Sequence, residues 1–102
     1  MTHVVVSSLT DEVKVQPKMV VSKVLYRDEQ LDVTMFGFDA GERLSEHEAD
    51  KTAVVEVLSG RLRFTADSEV YDAGPGFWLR MAPHTPHSLI ADEATLMLLT
   101  LL

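Results

Sequence analysis

Gly41-Glu-Arg-Leu-Ser-Glu-His47 and, further along, Gly76-Phe-Trp-Leu-Arg-Met-Ala-Pro-His-Thr-Pro-His87 are the stretches of sequence that decide the fold. Each begins at a glycine and ends at a histidine. Between them, the apolar run 54–58 ends at Ser59-Gly60, a pair of turn-forming residues. Because glycine and proline interrupt regular structure, this punctuation predicts short elements joined by tight turns.

The segments around these two stretches have the pattern of β-strands. Residues 20–26 are rich in β-branched and aromatic side chains, which favour a pleated surface. Apolar Leu62, Phe64 and Ala66 alternate with polar or charged residues, as in a half-buried strand. The whole chain therefore reads as about eight or nine short strands, the pattern of an all-β sandwich or barrel. Beyond single helical turns at 11–14 and 46–51, no segment has the period of a helix.

Composition excludes several classes of function. A net charge of -7 and a pI near 4.9, with only nine scattered Lys and Arg, argue against binding nucleic acid or an anionic membrane. The chain has no cysteine, which excludes both disulfides and thiolate metal sites. A hydrophobic content of 46% is ample for a packed interior.

The length of 102 residues predicts a single domain. We expect residues 1–18 to form an N-terminal extension, with the capacity to exchange a strand with another subunit, and residues 19–102 to form the barrel. The first ten residues lack the basic start and long apolar stretch of a signal peptide, and the apolar run 96–102 is too short to cross a bilayer. A cytoplasmic protein is expected.

The first stretch, continued to Gly60, resembles the first motif of the cupin family. That motif reads glycine, five residues, histidine, any residue, histidine, three or four residues, glutamate, six residues, glycine. Gly41, His47 and Gly60 keep this spacing. Ala49 stands at the second histidine position and Ala53 at the glutamate position, so two of the metal ligands of the family are missing.

The second stretch is similar to the second cupin motif, a glycine followed by an apolar strand and a proline-containing turn that leads to a histidine. Here Gly76 and His87 bound the motif, Pro83 comes one residue late, and His84 stands where glycine is common. The chain thus resembles small single-domain bacterial cupins with an incomplete first metal motif. The resemblance implies an all-β single-domain cupin jelly roll, which is a double-stranded β-helix barrel.

The resemblance carries metal binding onto His47 and His87, which in such folds come from facing strands and approach each other inside the barrel mouth. Imidazole suits Zn, Ni, Mn, Fe or Cu, so a divalent transition metal is the implied cofactor. A catalytic zinc or a non-haem iron typically needs three protein ligands, and the motif positions supply two. Glu46 and Glu48 flank His47, but in an extended chain they point to the opposite face.

Two functions remain open at this point. The two alanines favour a roomy, apolar pocket that binds a small organic ligand without turning it over. The alternative is a metal-dependent enzyme of the dioxygenase, isomerase or decarboxylase type with a reduced two-histidine site, and no catalytic residue can be named. The run 96–102 is apolar on both faces, which fits a strand buried between sheets or at a dimer interface. Cupins are commonly dimers, so the resemblance implies a homodimer. The residues expected to line the pocket are Met35, Ala49, Ala53, Met81, His84 and Met97.

Overall fold

A computed structural model describes residues 2–102; Met1, the first residue of the predicted extension, lies outside the described part. The chain forms one short 3-10 helix at Leu9–Asp11 and nine β-strands. The strands are β1 (Val20–Arg27), β2 (Asp32–Phe38), β3 (Arg43–His47), β4 (Ala53–Ser59), β5 (Leu62–Ala66), β6 (Glu69–Ala73), β7 (Trp78–Met81), β8 (His87–Ala91) and β9 (Thr95–Leu101).

The strands form two antiparallel sheets, which confirms the all-β prediction. Sheet A has five strands in the order β1-β2-β9-β4-β7, and sheet B has four in the order β3-β8-β5-β6. Strands distant in sequence become neighbours, since β9 lies between β2 and β4, and β8 lies between β3 and β5. This arrangement is the jelly roll that the motifs imply, and it brings the two motif strands β3 and β8 side by side.

Alternating side chains place one face of each sheet in the interior. In β5, Leu62 and Phe64 are buried and Arg63 between them is exposed, as the sequence pattern predicts. The central strand β9 is enclosed on both sides, with Met97 in the interior core and Leu98 in a second cluster on the outer face of sheet A. The interior core consists of Phe38, Ala53, Val55, Val57, Leu62, Phe64, Ala66, Ala73, Met81, Leu89, Ala91 and Met97.

The N-terminal segment lies against the outer face of sheet A. Val13 is buried there and forms the second cluster with Met35 and Leu98. Met35 was expected to line the barrel pocket, but it packs in this outer cluster instead. The reason is that both faces of β2 are covered: Phe38 points into the interior, and residues of the opposite parity face the N-terminal segment.

Two local predictions differ from the structure. The helical turn expected at 11–14 is a 3-10 turn at Leu9–Asp11, slightly earlier in the chain. No helical turn forms at 46–51, because Leu44 and His47 pair with β8 and extend this part of the chain as β3. Among residues 2–102, no helix has the length and apolar content needed to cross a membrane.

Gly60, the last residue of the first motif, is required by its surroundings. Its φ of +84° lies in the left-handed region, and an added Cβ would sit 2.2 Å from the carbonyl oxygen of Ala94. Gly41 has a similar φ of +86°, but its added Cβ would meet no atom within 4 Å. The two glycines of the motif therefore serve the fold in different ways: Gly60 permits a close backbone approach, and Gly41 only a turn.

Candidate functional site

The two motif histidines meet at one end of the barrel. His47 is the last residue of β3 and His87 is the first residue of β8. They are direct cross-strand partners, and their ring centroids are 4.2 Å apart with the ring planes tilted by 58°. The structure thus brings them together as the motifs imply, but from hydrogen-bonded neighbours in sheet B rather than from facing strands. We call this end of the barrel the mouth.

Each of the two imidazole rings is held by a backbone carbonyl. The Nδ1 atom of His47 lies 2.7 Å from the carbonyl oxygen of Ser45, and Nδ1 of His87 lies 2.8 Å from that of Thr85. A carbonyl oxygen only accepts hydrogen bonds, so Nδ1 carries the proton in both neutral rings. Both Nε2 atoms are left with a free lone pair, which accepts a hydrogen bond or binds an ion.

His87 is kept neutral by its surroundings. The residue is 9% exposed, and its ring stacks on that of Phe64 with centroids 5.9 Å apart and planes inclined by 8°. Burial lowers the pKa of His87, the hydrogen bond to Thr85 works in the opposite direction, and the neighbouring charge of protonated His47 lowers the pKa further. His87 is therefore an acceptor at neutral pH, whereas His47 is exposed to solvent.

His84 and Glu48 connect the two loops that adjoin the site histidines. The backbone N–H of His84 donates to the carbonyl of Ala49 at 2.7 Å, and its Nδ1 lies 3.3 Å from Oε1 of Glu48. The φ of His84 is +66°, the left-handed conformation that glycine adopts most easily, which explains why glycine is common at this motif position. The side chains of His84 and Glu48 are both exposed, so the pair is a surface contact at the mouth.

The residues expected to line a pocket fall into three groups. Ala53, Met81 and Met97 are part of the packed interior core, Ala49 and His84 lie in the loops of the mouth, and Met35 lies outside the barrel. Three surface grooves of the described chain have volumes of about 420, 440 and 180 Å3, and none of these three is lined by a site histidine. Of the two alanines at ligand positions, Ala53 packs in the interior core and Ala49 lies in a loop of the mouth.

The donor set falls short of a complete metal site. Within residues 2–102 no group of three or more His, Cys, Asp and Glu side chains is positioned to hold an ion. Two imidazoles are one ligand fewer than a catalytic zinc or a non-haem iron typically takes from its protein. Glu48, the carboxylate that contacts His84 at the mouth, is not part of any such group.

Sequence reasoning missed two features of this site. The sequence contained a signal for the stacking of Phe64 on His87, since Phe64 was predicted on the buried face of a strand. The carbonyl contacts of Ser45 and Thr85 depend on local backbone geometry, and residue types give no signal for them.

Comparison with known proteins places the fold in a family. No family profile and no curated protein matches the chain. Among solved structures, a conserved protein of unknown function, SPY1581 from Streptococcus pyogenes, is 33% identical with a TM-score of 0.88. The match covers 100% of this chain and 90% of that protein. A cupin 2 conserved barrel domain protein from Leptotrichia buccalis is 31% identical with a TM-score of 0.86, and the match covers 91% of this chain and 45% of that protein.

An RmlC-like cupin protein from Desulfovibrio desulfuricans is 26% identical with a TM-score of 0.84, and the match covers 96% of this chain and 95% of that protein. These similarities extend over nearly the whole chain and agree with the two motifs and the jelly-roll topology. The chain belongs to the cupin superfamily as a small single-domain member with an incomplete first metal motif.

Proposed function

We propose that this protein binds a small organic molecule at the mouth of its barrel, with the Nε2 atoms of His47 and His87 as paired hydrogen-bond acceptors. The observation that carries the proposal is the arrangement of the two rings. They lie 4.2 Å apart between centroids, and both Nδ1–H groups are already donated to backbone carbonyls. Paired acceptors of fixed orientation select a ligand by its donors.

The chemistry of the mouth defines the ligand class. Two acceptor atoms require hydroxyl, amide or ammonium donors on the ligand, placed close enough together to reach both rings. Phe64, which stacks on His87, is only 1% exposed, so apolar contact to the rest of the molecule would come from the imidazole rings themselves. A small hydroxylated or amine-bearing compound with an apolar portion fits this combination.

A second candidate is a metal-dependent enzyme that uses the two histidines as its only protein ligands. The observation in its favour is the pair of Nδ1–carbonyl hydrogen bonds, since metal-binding histidines usually hold their second nitrogen in this way. A divalent ion bound there would supply Lewis-acid chemistry. The missing third ligand weighs against this candidate.

Two measurements on one set of variants separate the candidates. Elemental analysis of protein purified without chelator or affinity tag is expected to find transition metal well below one ion per chain. In NMR screening with small polyols, amino alcohols and amides, shifts at His47 and His87 are expected in the wild type. His47→Gln and His87→Gln should abolish these shifts, while His3→Gln, which removes a histidine from the N-terminal segment, should leave them unchanged.

Metal at about one ion per chain that is lost in His47→Gln would overturn ligand binding in favour of the metal-dependent candidate. Equal shifts in the wild type and in both site variants would show that the paired rings do not bind the probes.

A further inference from the structure

The outer face of sheet B carries a row of side chains with an arginine on each side of an isoleucine. Arg43 on β3 is the cross-strand partner of Ile90 on β8, and Ile90 is in turn the partner of Arg63 on β5. Two residues before Ile90 on the same face of β8, Ser88 is the cross-strand partner of Thr65 on β5. These residues line a groove of about 440 Å3, which we call the outer groove.

The outer groove is separate from the mouth. Along β8, Ser88 and Ile90 alternate with the buried His87 and Leu89, so the two sets of side chains lie on opposite faces of the same strand. Any ligand of the outer groove therefore lies behind the strand that carries His87. The groove is within the volume range of small-molecule sites, roughly 300–1,000 Å3.

The outer groove has a net positive charge, because Arg43 and Arg63 outnumber Glu46, in a chain that is acidic as a whole. Two of the nine Lys and Arg residues line this one groove, although the net charge of the chain is -7. Among residues 2–102, no carboxylate lies within ion-pair distance of Arg43. Arg63 forms an ion pair with Asp92, with Nε and Oδ1 3.3 Å apart. This pair is exposed, and exposed ion pairs contribute little stability. The guanidinium of Arg43 is therefore available to a ligand, and that of Arg63 contacts Asp92 through Nε, which leaves its two terminal nitrogens as donors.

The spacing of the two arginines suits a single anion. Neighbouring strands lie about 4.8 Å apart, so the backbones of Arg43 and Arg63 are separated by roughly 10 Å across β8. Their long side chains can converge above Ile90, where each guanidinium presents paired N–H donors that match a carboxylate or a phosphate. The hydroxyl groups of Ser88 and Thr65 supply further donors beside that point.

We propose that the outer groove binds a small molecule carrying a carboxylate or phosphate group, with Arg43 and Arg63 gripping the oxyanion and Ser88 and Thr65 holding the adjoining polar part. Glu46 also lines the groove and opposes an anion. It sets an upper limit on affinity and excludes ligands that place negative charge at the β3 rim. Ile90 supplies apolar contact beneath the anionic group.

The test is an NMR titration of the full chain at low ionic strength with two probes, inorganic phosphate and citrate. Amide and arginine Nε–H shifts are expected to concentrate at Arg43, Arg63 and Ser88. Arg43→Gln and Arg63→Gln should each weaken binding about tenfold or more, since each removes charge-assisted hydrogen bonds. Glu46→Gln should strengthen binding about threefold by removing a like charge.

Arg80→Gln is the matched control, because it removes the same charge from an exposed position on β7 in the other sheet. It should leave both affinities unchanged within about twofold. A response to phosphate alone identifies the ligand as a phosphate ester, a response to citrate alone identifies it as a carboxylate, and either supports the site.

Three results would overturn the proposal: no saturable shift with either probe, shifts spread over the whole surface, or a loss in Arg80→Gln equal to that in Arg43→Gln. None of these readouts involves His47 or His87. The test of the outer groove is therefore independent of ligand binding at the mouth.

Discussion

Replacing Gly60 and Gly41 by alanine, one at a time, measures how much of the first motif is a steric requirement of the fold. Both residues have φ in the left-handed region, at +84° and +86°. Only at Gly60 does the new methyl group collide with the protein: its Cβ would lie 2.2 Å from the Ala94 carbonyl oxygen and 2.6 Å from Cα of Thr95. Gly41→Ala therefore serves as a matched control for backbone strain alone.

The expected difference follows from two separate costs. Left-handed backbone costs an L-residue roughly 1–2 kcal/mol, which applies to both variants. At Gly60 the colliding atoms are backbone atoms of Ala94 and Thr95, where β9 begins, and Oγ1 of Thr95; they must move by about 1 Å to reach van der Waals distance. Forced displacement of this kind costs roughly 1–3 kcal/mol more. Gly41→Ala should therefore lose about 1–2 kcal/mol and Gly60→Ala about 2–5 kcal/mol of unfolding free energy.

Urea unfolding followed by far-UV circular dichroism measures both losses, provided that the slope m is the same in the wild type and the variants. A small domain has about 5–15 kcal/mol of stability in total, so the larger loss is readily detected and the smaller one is measurable. A loss in Gly60→Ala no greater than that in Gly41→Ala would refute the steric argument, because it would mean that the approach of residues 94 and 95 is not held by the fold.

Four further predictions follow from other contacts. Thr95→Val, measured by urea unfolding, should cost about 1–3 kcal/mol because it removes the fully buried hydroxyl that accepts from the backbone N–H of Arg61 at 3.0 Å, whereas Thr95→Ser should cost less. Burial lowers the folded pKa of His87 below its unfolded value, so the unfolded chain takes up the proton first. The stability that His87 contributes is therefore full above about pH 6.5 and is lost as the pH falls through its folded pKa. His87→Asn should flatten this part of the profile of unfolding free energy against pH. In thermal unfolding, His84→Gly should be more stable than His84→Ala by about 1 kcal/mol, because both lose the exposed contact with Glu48 and only alanine keeps the backbone strain at φ +66°. Light scattering should give a homodimer, and Trp78→Lys should weaken it, since Trp78 is 60% exposed on sheet A; a wild-type mass of 11.4 kDa would contradict this.

The alternation of apolar and polar residues predicted the strands well, but it predicted less well which face of a strand lies in the interior. Leu62, Phe64 and Ala66 identify β5 with its inward face, because the residues between them are polar or charged. Met35 was expected in the pocket and packs outside it, because alternation shows that residues share a face but not which of two covered faces it is. Only the packing of Val13 against the outer side of sheet A settles that question.

The candidate site was predictable in its members but not in its chemistry. Motif spacing brought His47 and His87 together, and the structure confirms that they are neighbours. The direction of each ring depends on a carbonyl two residues earlier, which any residue type supplies. Ala53, Met81 and Met97 all lie in the interior core, and the expectation that they line a ligand pocket stays a prediction.

The position of β9 in sheet A has a consequence for how the chain acquires its structure. Thr95–Leu101 is the last strand in the sequence, yet it lies between β2 and β4 and joins the two halves of sheet A. Until these residues are available, the β1–β2 hairpin and the β4–β7 pair have no strand in common. Closing such distant pairings carries a large loop entropy, so we expect folding on the millisecond-to-second scale typical of all-β domains, with assembly of sheet A as the late step. A chain shortened before residue 95 would expose the inner edges of β2 and β4, and unpaired strand edges of this kind promote aggregation.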